Sequence, residues 1–207
     1  MFIPEYFKIN DKEVMYELIE KYSFATLFSQ HNGQPCATHL PLLVNKDQSA
    51  LYGHMARANK QWNDALNQQV LAVFHGPHCY ISPVYYETKK AVVPTWDYVS
   101  VHVYGKMEII HEKNMVLQHL NDLVNQYEQP DTTYNYEDLD SNMVEGMVRE
   151  LVAFRIKITK IEAQARLSQN HTKERQELII KHLESNPDQN DRQIAALMRN
   201  NLIDKKW

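Results

Sequence analysis

Glycine is scarce in this chain: 207 residues hold only five. No Gly-x-Gly-x-x-Gly, Walker loop or Gly-x-Ser-x-Gly occurs, which sets aside phosphate cradles built on glycine-rich turns and the strained nucleophile elbow of the hydrolases. Cysteine is scarcer still. Cys36 and Cys79 cannot make a disulfide framework and suit a reducing compartment, and each sits in a strand-like setting as a small buried hydrophobe. There is no charged leader followed by an apolar stretch, and no run approaches the ~20 apolar residues of a membrane span. A cytoplasmic protein without a membrane partner is expected. An excess of positive charge is also missing: 22 Lys and Arg stand against 26 Asp and Glu, a net charge of −4. Phosphate neutralisation supplies most non-specific DNA affinity, so a chain whose whole surface grips nucleic acid is excluded.

What is present is ordinary globular material, 43% hydrophobic and 23% charged. A chain of this length buries on the order of 70% of its unfolded surface and needs no structural metal for a core. Ten histidines invite a metal reading. His75-Gly-Pro-His78-Cys79, with Cys36 and His39, offers zinc-type ligands, but the spacing closes no four-ligand set and Gly76-Pro77 already reads as a turn between strands. No metal and no catalytic triad are therefore expected.

The periodicity predicts a helix over 11–22, then strands near 23–29 and 36–44 joined through His31-Asn-Gly33, a hairpin signal. Short strands follow near 50–54, 70–75 and 78–82, with a longer one over 98–110. Apolar residues at helical spacing mark a helix over 112–128. A polar, tyrosine-rich loop and a helix near 139–149 lead to a last strand over 152–161. Helices over 172–185 and 188–201, parted by Asn186-Pro187, close the chain. Many short, closely spaced strands favour a mainly β fold with added helices, a barrel rather than a parallel sheet.

Two segments carry the functional signal. From Tyr98 the chain alternates, with Tyr98, Ser100, His102 and Tyr104 on one face and Val99, Val101 and Val103 on the other. Pro94 and Trp96 lead into this strand, so an aromatic plate stands beside a row of hydrogen-bonding groups suited to a flat heteroaromatic ligand. Upstream, 51–62 reads as a strand running into a helix, with His54, Arg57, Asn59 and Lys60 at the junction. Such a cluster is either a phosphate site, helped by unpaired N–H groups and the helix dipole, or a solvated helix end.

Taken with Thr38-His-Leu-Pro-Leu42 and Arg166-Leu-Ser-Gln-Asn170, these segments resemble the PaiB-type FMN-binding regulators, relatives of the pyridoxamine-phosphate-oxidase-like split barrels. The resemblance runs from Met1-Phe-Ile-Pro-Glu-Tyr-Phe7 through Gly53–Asn59 and Pro94–Tyr98 to the C-terminal helices. It implies a homodimeric antiparallel Greek-key split barrel over 1–170, with a helical extension over 171–207 packed on it. It also implies FMN at the dimer interface and negative regulation of sporulation and protease synthesis. Position by position, Thr38, His39 and Leu40 would lie along the ring and ribityl chain, and His54, Arg57, Asn59 and Lys60 would meet the 5′-phosphate. Ser100 and His102 would serve the flavin from the partner subunit, with Trp96 at the cofactor site as the aromatic plate where that strand begins. Arg166 matches the Arg-Leu that reaches an anionic substrate in the oxidases, whereas Asn170 replaces their second Arg, which argues against a vitamin-B6 substrate.

DNA remains a partner that charge supports weakly, since residues 171–207 carry seven cations against six acids. The apolar spacing of 191–198 fits either the first helix of a helix-turn-helix or an amphipathic helix packed on the barrel. The alternatives to a regulator are an FMN-dependent oxidoreductase and a split barrel binding haem through histidine.

Overall fold

The computed structural model describes residues 1–87, 93–129 and 131–204. Lys205 and Lys206 of the expected basic extension lie outside the described residues. In chain order the elements are β1 (Lys8–Ile9), α1 (Lys12–Lys21), β2 (Phe24–His31), β3 (Gln34–Pro41), β4 (Leu43–Val44), β5 (Ala50–Ala56) and α2 (Gln61–Asp64). After these come β6 (Gln69–Ile81), β7 (Thr95–Ile109), α3 (Lys113–Tyr127), α4 (Ser141–Glu150), β8 (Leu151–Arg166), α5 (Lys173–Ser185) and α6 (Gln189–Asp204). Hydrogen bonding orders the strands β3-β2-β6-β7-β8-β5-β4, with β1 added to β8. The pairings β1–β8, β2–β3, β2–β6, β4–β5 and β5–β8 are all antiparallel. The fold is thus mainly antiparallel β with flanking helices.

The chain divides into two compact units. One comprises Met1–Leu18, Phe74–His102 and Glu162–Trp207. Its buried side chains include Phe74, Ile81, Val99, Val101 and Leu167, with Ile179, Leu183, Ile194 and Met198 from α5 and α6. Those two helices pack on each other. Thr172 caps α5 by accepting from the Arg175 N–H, and Asn186-Pro187 ends it, because proline disfavours helix at the preceding residue. The other unit comprises Ile19–Val73 and Val103–Ile161. Leu27, Leu42, Leu51, Met107, Phe154 and Ile156 are among its fully buried side chains. Under α3 a smaller cluster gathers Ile110, Val116, Leu120 and Ala153.

Local chemistry explains the turns. Asn32 and Gly33 carry φ of 49° and 77° and link His31 to Gln34 in a two-residue hairpin, the left-handed pair that Asn-Gly supplies most cheaply. The structure corrects the expected turn at Gly76-Pro77. β6 runs unbroken through both residues. Its pairing with β2 covers only Leu71–Val73, so the missing N–H of Pro77 interrupts no bond of that ladder. Strand β7 starts at Thr95, which places Trp96 inside it, and β8 extends to Arg166 rather than ending at 161.

Gly105 has a packing role. A Cβ there would collide with the carbonyl oxygen of Lys157 and lie 2.5 Å from Ile156 Cγ2. Because one contact is backbone, the site does not relax by a rotamer change. Gly105→Ala is expected to cost about 1–3 kcal/mol in urea unfolding; an unchanged midpoint would show that β7 and β8 separate freely.

Candidate functional site

In the unit built from Ile19–Val73 and Val103–Ile161, a polar knot fixes the middle of β3. Gln61, 1% exposed, accepts a short hydrogen bond from the Thr38 hydroxyl. Its Nε2 donates to the Leu27 carbonyl and to Ser29 Oγ, both at 3.0 Å. Asn59 completes the knot, donating to Thr38 Oγ1 at 2.9 Å and accepting from the Gln61 N–H at 3.0 Å. The structure therefore brings Thr38 and Asn59 together, with the Thr38 hydrogen already committed. His39 shares a hydrogen bond with Thr26 Oγ1 at 3.0 Å through Nδ1 and stacks on Phe24. Leu40 is buried beside Gly53, where a Cβ would meet its side chain at 3.3 Å.

The basic junction separates into residues with different employment. His54 Nδ1 lies 3.3 Å from Nε2 of His119 on α3. Burial holds both imidazoles below their ordinary range, His119 at about 4, so the pair is neutral at physiological pH. Arg57 donates through Nε to the Arg149 carbonyl at 2.6 Å and through Nη2 to the Leu151 carbonyl at 2.8 Å. It closes the α4–β8 junction. Lys60 is exposed and directly precedes α2. The helix expected at this junction is present but short. α2 is a single four-residue turn, and the Gln61, Asn63 and Asp64 N–H groups already have acceptors.

Among the described residues of this unit, one cleft of about 520 Å³ is lined by Leu42–Lys46, Tyr52, Met115, His119 and Asp122. Another, of about 400 Å³, lies among Arg57, Trp62, Ile109, Lys113 and Leu151.

In the first unit, β7 and the last residue of β8 supply the remaining expected residues. Trp96 is half exposed and meets Tyr80 edge-on at 5.9 Å, with His78 at 6.2 Å. Ser100 is buried and donates to the Phe74 carbonyl at 3.3 Å. His102 keeps a buried Nδ1 without a hydrogen-bond partner, and burial lowers its pKa. Arg166 donates to Thr95 Oγ1 at 2.6 Å and lies over the Phe7 ring.

Beside it is a residue that sequence reasoning passed over. Asp97 is fully buried; its Oδ2 accepts from Ser168 Oγ at 2.7 Å, and its Oδ1 lies 3.9 Å from Arg166 Nε, too far for a hydrogen bond. Desolvation pushes its carboxyl up to about 7, against the pull of Ser168 and Arg166. Gln61, His119 and Ser168 were passed over as well. Ser168 lies inside the Arg166–Asn170 segment and takes a left-handed φ of 59°, uncommon for a non-glycine residue. Among the described residues no group of three or more His, Cys, Asp or Glu side chains is gathered to hold a metal ion. Cys79 is buried with its thiol pKa raised by desolvation.

Residues 1–160 match the family described as "Putative FMN-binding domain". The protease synthase and sporulation protein PAI 2 of Bacillus subtilis is 35% identical over 206 residues, covering 98% of each chain. Among solved structures, the flavocytochrome Anf3 of Azotobacter vinelandii superposes with a TM-score of 0.63 at 15% identity, over 79% of this chain and 72% of that one. An FAD and heme binding protein of Mycobacterium smegmatis gives 0.62 at 14% identity, over 77% and 73%. At such identities the likeness establishes the split-barrel fold alone. No described helix is long and apolar enough to cross a membrane. With a family match over three quarters of its length and a 35% identical relative along almost all of it, this chain belongs to the FMN-binding domain family that includes the sporulation protein PAI 2.

Proposed function

We propose that the protein is a dimeric, cytoplasmic FMN-binding regulator that restrains sporulation and protease synthesis. The observation that carries this reading is the end-to-end similarity to a protein named for those two processes. In it, residues 1–170 form the flavin-binding part and 171–207 a helical extension. The orphaned Nδ1 of His102 supports a ligand rich in N–H and C=O groups on the polar face of β7. Lys60, with its ammonium in solvent, is the better phosphate partner of the two junction cations, because Arg57 is committed to main-chain carbonyls. Thr38, His39 and Leu40 would hold the ring and ribityl chain, with His54 and Asn59 near the phosphate approach. Trp96, Ser100, His102 and Arg166 would come from the second copy. FMN supplies the electron-transfer chemistry when bound; the chain supplies orientation and exclusion of water.

Lys60→Ala is expected to weaken FMN about 10- to 100-fold in a fluorescence-quench titration, the value of one charge-assisted hydrogen bond. Arg57→Ala should chiefly lower stability. Unaltered affinity in Lys60→Ala would remove that residue from the site.

Regulation through a flavin-linked step or a partner protein fits the charges better than a direct grip on DNA. Within α5 and α6, Arg175 is bonded to Glu87, Arg199 to Glu184, and Lys173 lies 3.8 Å from Glu177. Sequence-specific, salt-dependent retardation of promoter DNA, lost on deleting 172–207, would overturn this preference.

A further inference from the structure

The cleft of about 400 Å³ in the unit built from Ile19–Val73 and Val103–Ile161 has no part in the flavin site proposed above. Trp62 from α2, Leu66, Ile109 from the end of β7, Val116 from α3, Val148 from α4 and Leu151 from β8 form its walls. These walls reach solvent: Leu66 is 38% exposed, and Trp62 and Val148 are half-buried. Among the described residues that line the cleft none is Asp or Glu, and the polar ones are Arg57, His111 and Lys113. An apolar lining with a few polar groups, none of them negative, fits a small molecule that joins a hydrocarbon body to an anionic head.

The two permanent cations differ in what is left to them. Lys113 Nζ lies 2.7 Å from Glu145, so its charge is already answered. Arg57 gives Nε and Nη2 to the Arg149 and Leu151 carbonyls at 2.6 and 2.8 Å, and its own carbonyl accepts from Trp62 Nε1 at 3.0 Å. These bonds fix the guanidinium where it lines the cleft, yet both of its acceptors are neutral. Among the described residues no carboxylate pairs with it and its Nη1 has no acceptor, whereas Arg155, Arg175 and Arg199 each face a glutamate. A guanidinium already held in place loses little side-chain entropy on meeting an anion, and its planar fork matches a carboxylate. One unanswered charge suits one negative charge better than the dianion of a phosphate ester.

We propose that this cleft binds a small apolar carboxylic acid as its anion, at a site separate from the flavin, with the hydrocarbon tail among Trp62, Val116 and Val148 and the carboxylate on Arg57 Nη1. An apolar amine would bring a second cation to Arg57, and a neutral molecule would leave the charge of Arg57 unanswered. The inference does not depend on FMN being bound.

The test is calorimetric titration of the full chain with straight-chain carboxylates from butanoate to octanoate, with and without saturating FMN, while ¹⁵N spectra follow the Trp62 indole N–H. Octanoate is expected to bind and to shift that signal, and each added CH₂ should tighten binding about fourfold, the value of one buried methylene. Octanol should bind at least about tenfold more weakly for want of a charge-assisted hydrogen bond, and octylamine more weakly still. Arg57→Gln should remove the preference for octanoate over octanol. Val148→Trp, which fills the cleft from α4, should weaken octanoate at least about tenfold by displacing part of its tail. Absence of octanoate binding at millimolar concentration would overturn the proposal, as would octanol binding as tightly as octanoate. Competitive displacement of octanoate by FMN would overturn the separate site while leaving the flavin reading intact. If Arg57→Gln fails to fold, Val148→Trp decides: the tenfold loss supports the cleft, and unchanged octanoate affinity rejects it.

Discussion

Replacing Asp97 with Asn is expected to abolish a loss of stability on the order of 4 kcal/mol that the wild type suffers between about pH 4 and pH 7. The carboxyl is fully buried, and desolvation raises its pKa from 3.8 to about 7 in the fold. An acid whose folded pKa is raised binds its proton more tightly folded than unfolded. Its stabilisation is therefore complete below about 4, declines as pH rises, and is gone above about 7. Three units at 1.36 kcal/mol each set the size. His119 acts with the opposite sign, since its folded pKa is depressed to about 4 and stability is gained as pH rises through its window. The difference between wild type and Asp97→Asn isolates the carboxyl. Urea unfolding at half-unit steps from pH 4 to 8 measures it, and the ¹³C shift of the Asp97 carboxyl reports the titration directly. A midpoint near 4 would show that Arg166, at 3.9 Å, neutralises the group after all.

Gln61→Leu is expected to destabilise the protein by about 3–5 kcal/mol. The substitution keeps roughly the same volume but removes the partners of the Thr38 hydroxyl, the Leu27 carbonyl and Ser29 Oγ in a site closed to water. Each buried polar group left unsatisfied costs about 1–3 kcal/mol. Because the knot fixes β3 against β2, FMN affinity should fall in parallel. Equilibrium unfolding gives the first quantity and flavin titration the second. A loss below about 1 kcal/mol would mean that Asn59 alone holds Thr38 in place.

Local pattern made much of this fold readable. The alternation from Tyr98 to Tyr104 placed Val99, Val101 and Val103 in the core, where they are found, and Asn32-Gly33 announced its hairpin through φ values that few other pairs adopt. Gly76-Pro77 misled for the same reason: the dipeptide suits a turn, and only the extent of pairing with β2 reveals that a proline is tolerated there. The candidate site was readable as a set of segments, not as a set of roles. Arg57 and Lys60 look alike in sequence, yet one guanidinium closes a junction 92 and 94 residues away along the chain while the ammonium stays in solvent. Asp97 falls inside the Pro94–Tyr98 segment and Gln61 inside 51–62, but neither carries a sequence signal of its role. Their properties arise from burial and from partners brought in from distant positions, and neither leaves a mark on neighbouring residues.

Gly105 has a consequence for strand register. A strand slipped by one position exchanges its two faces, and hydrophobic pattern alone ordinarily guards against this. Here the guard is also steric. A slip of β7 against β8 in either direction would bring Tyr104 or Lys106 to the place where the Lys157 carbonyl leaves room only for hydrogen. That one glycine works as an alignment pin that admits β7 to a single register against β8.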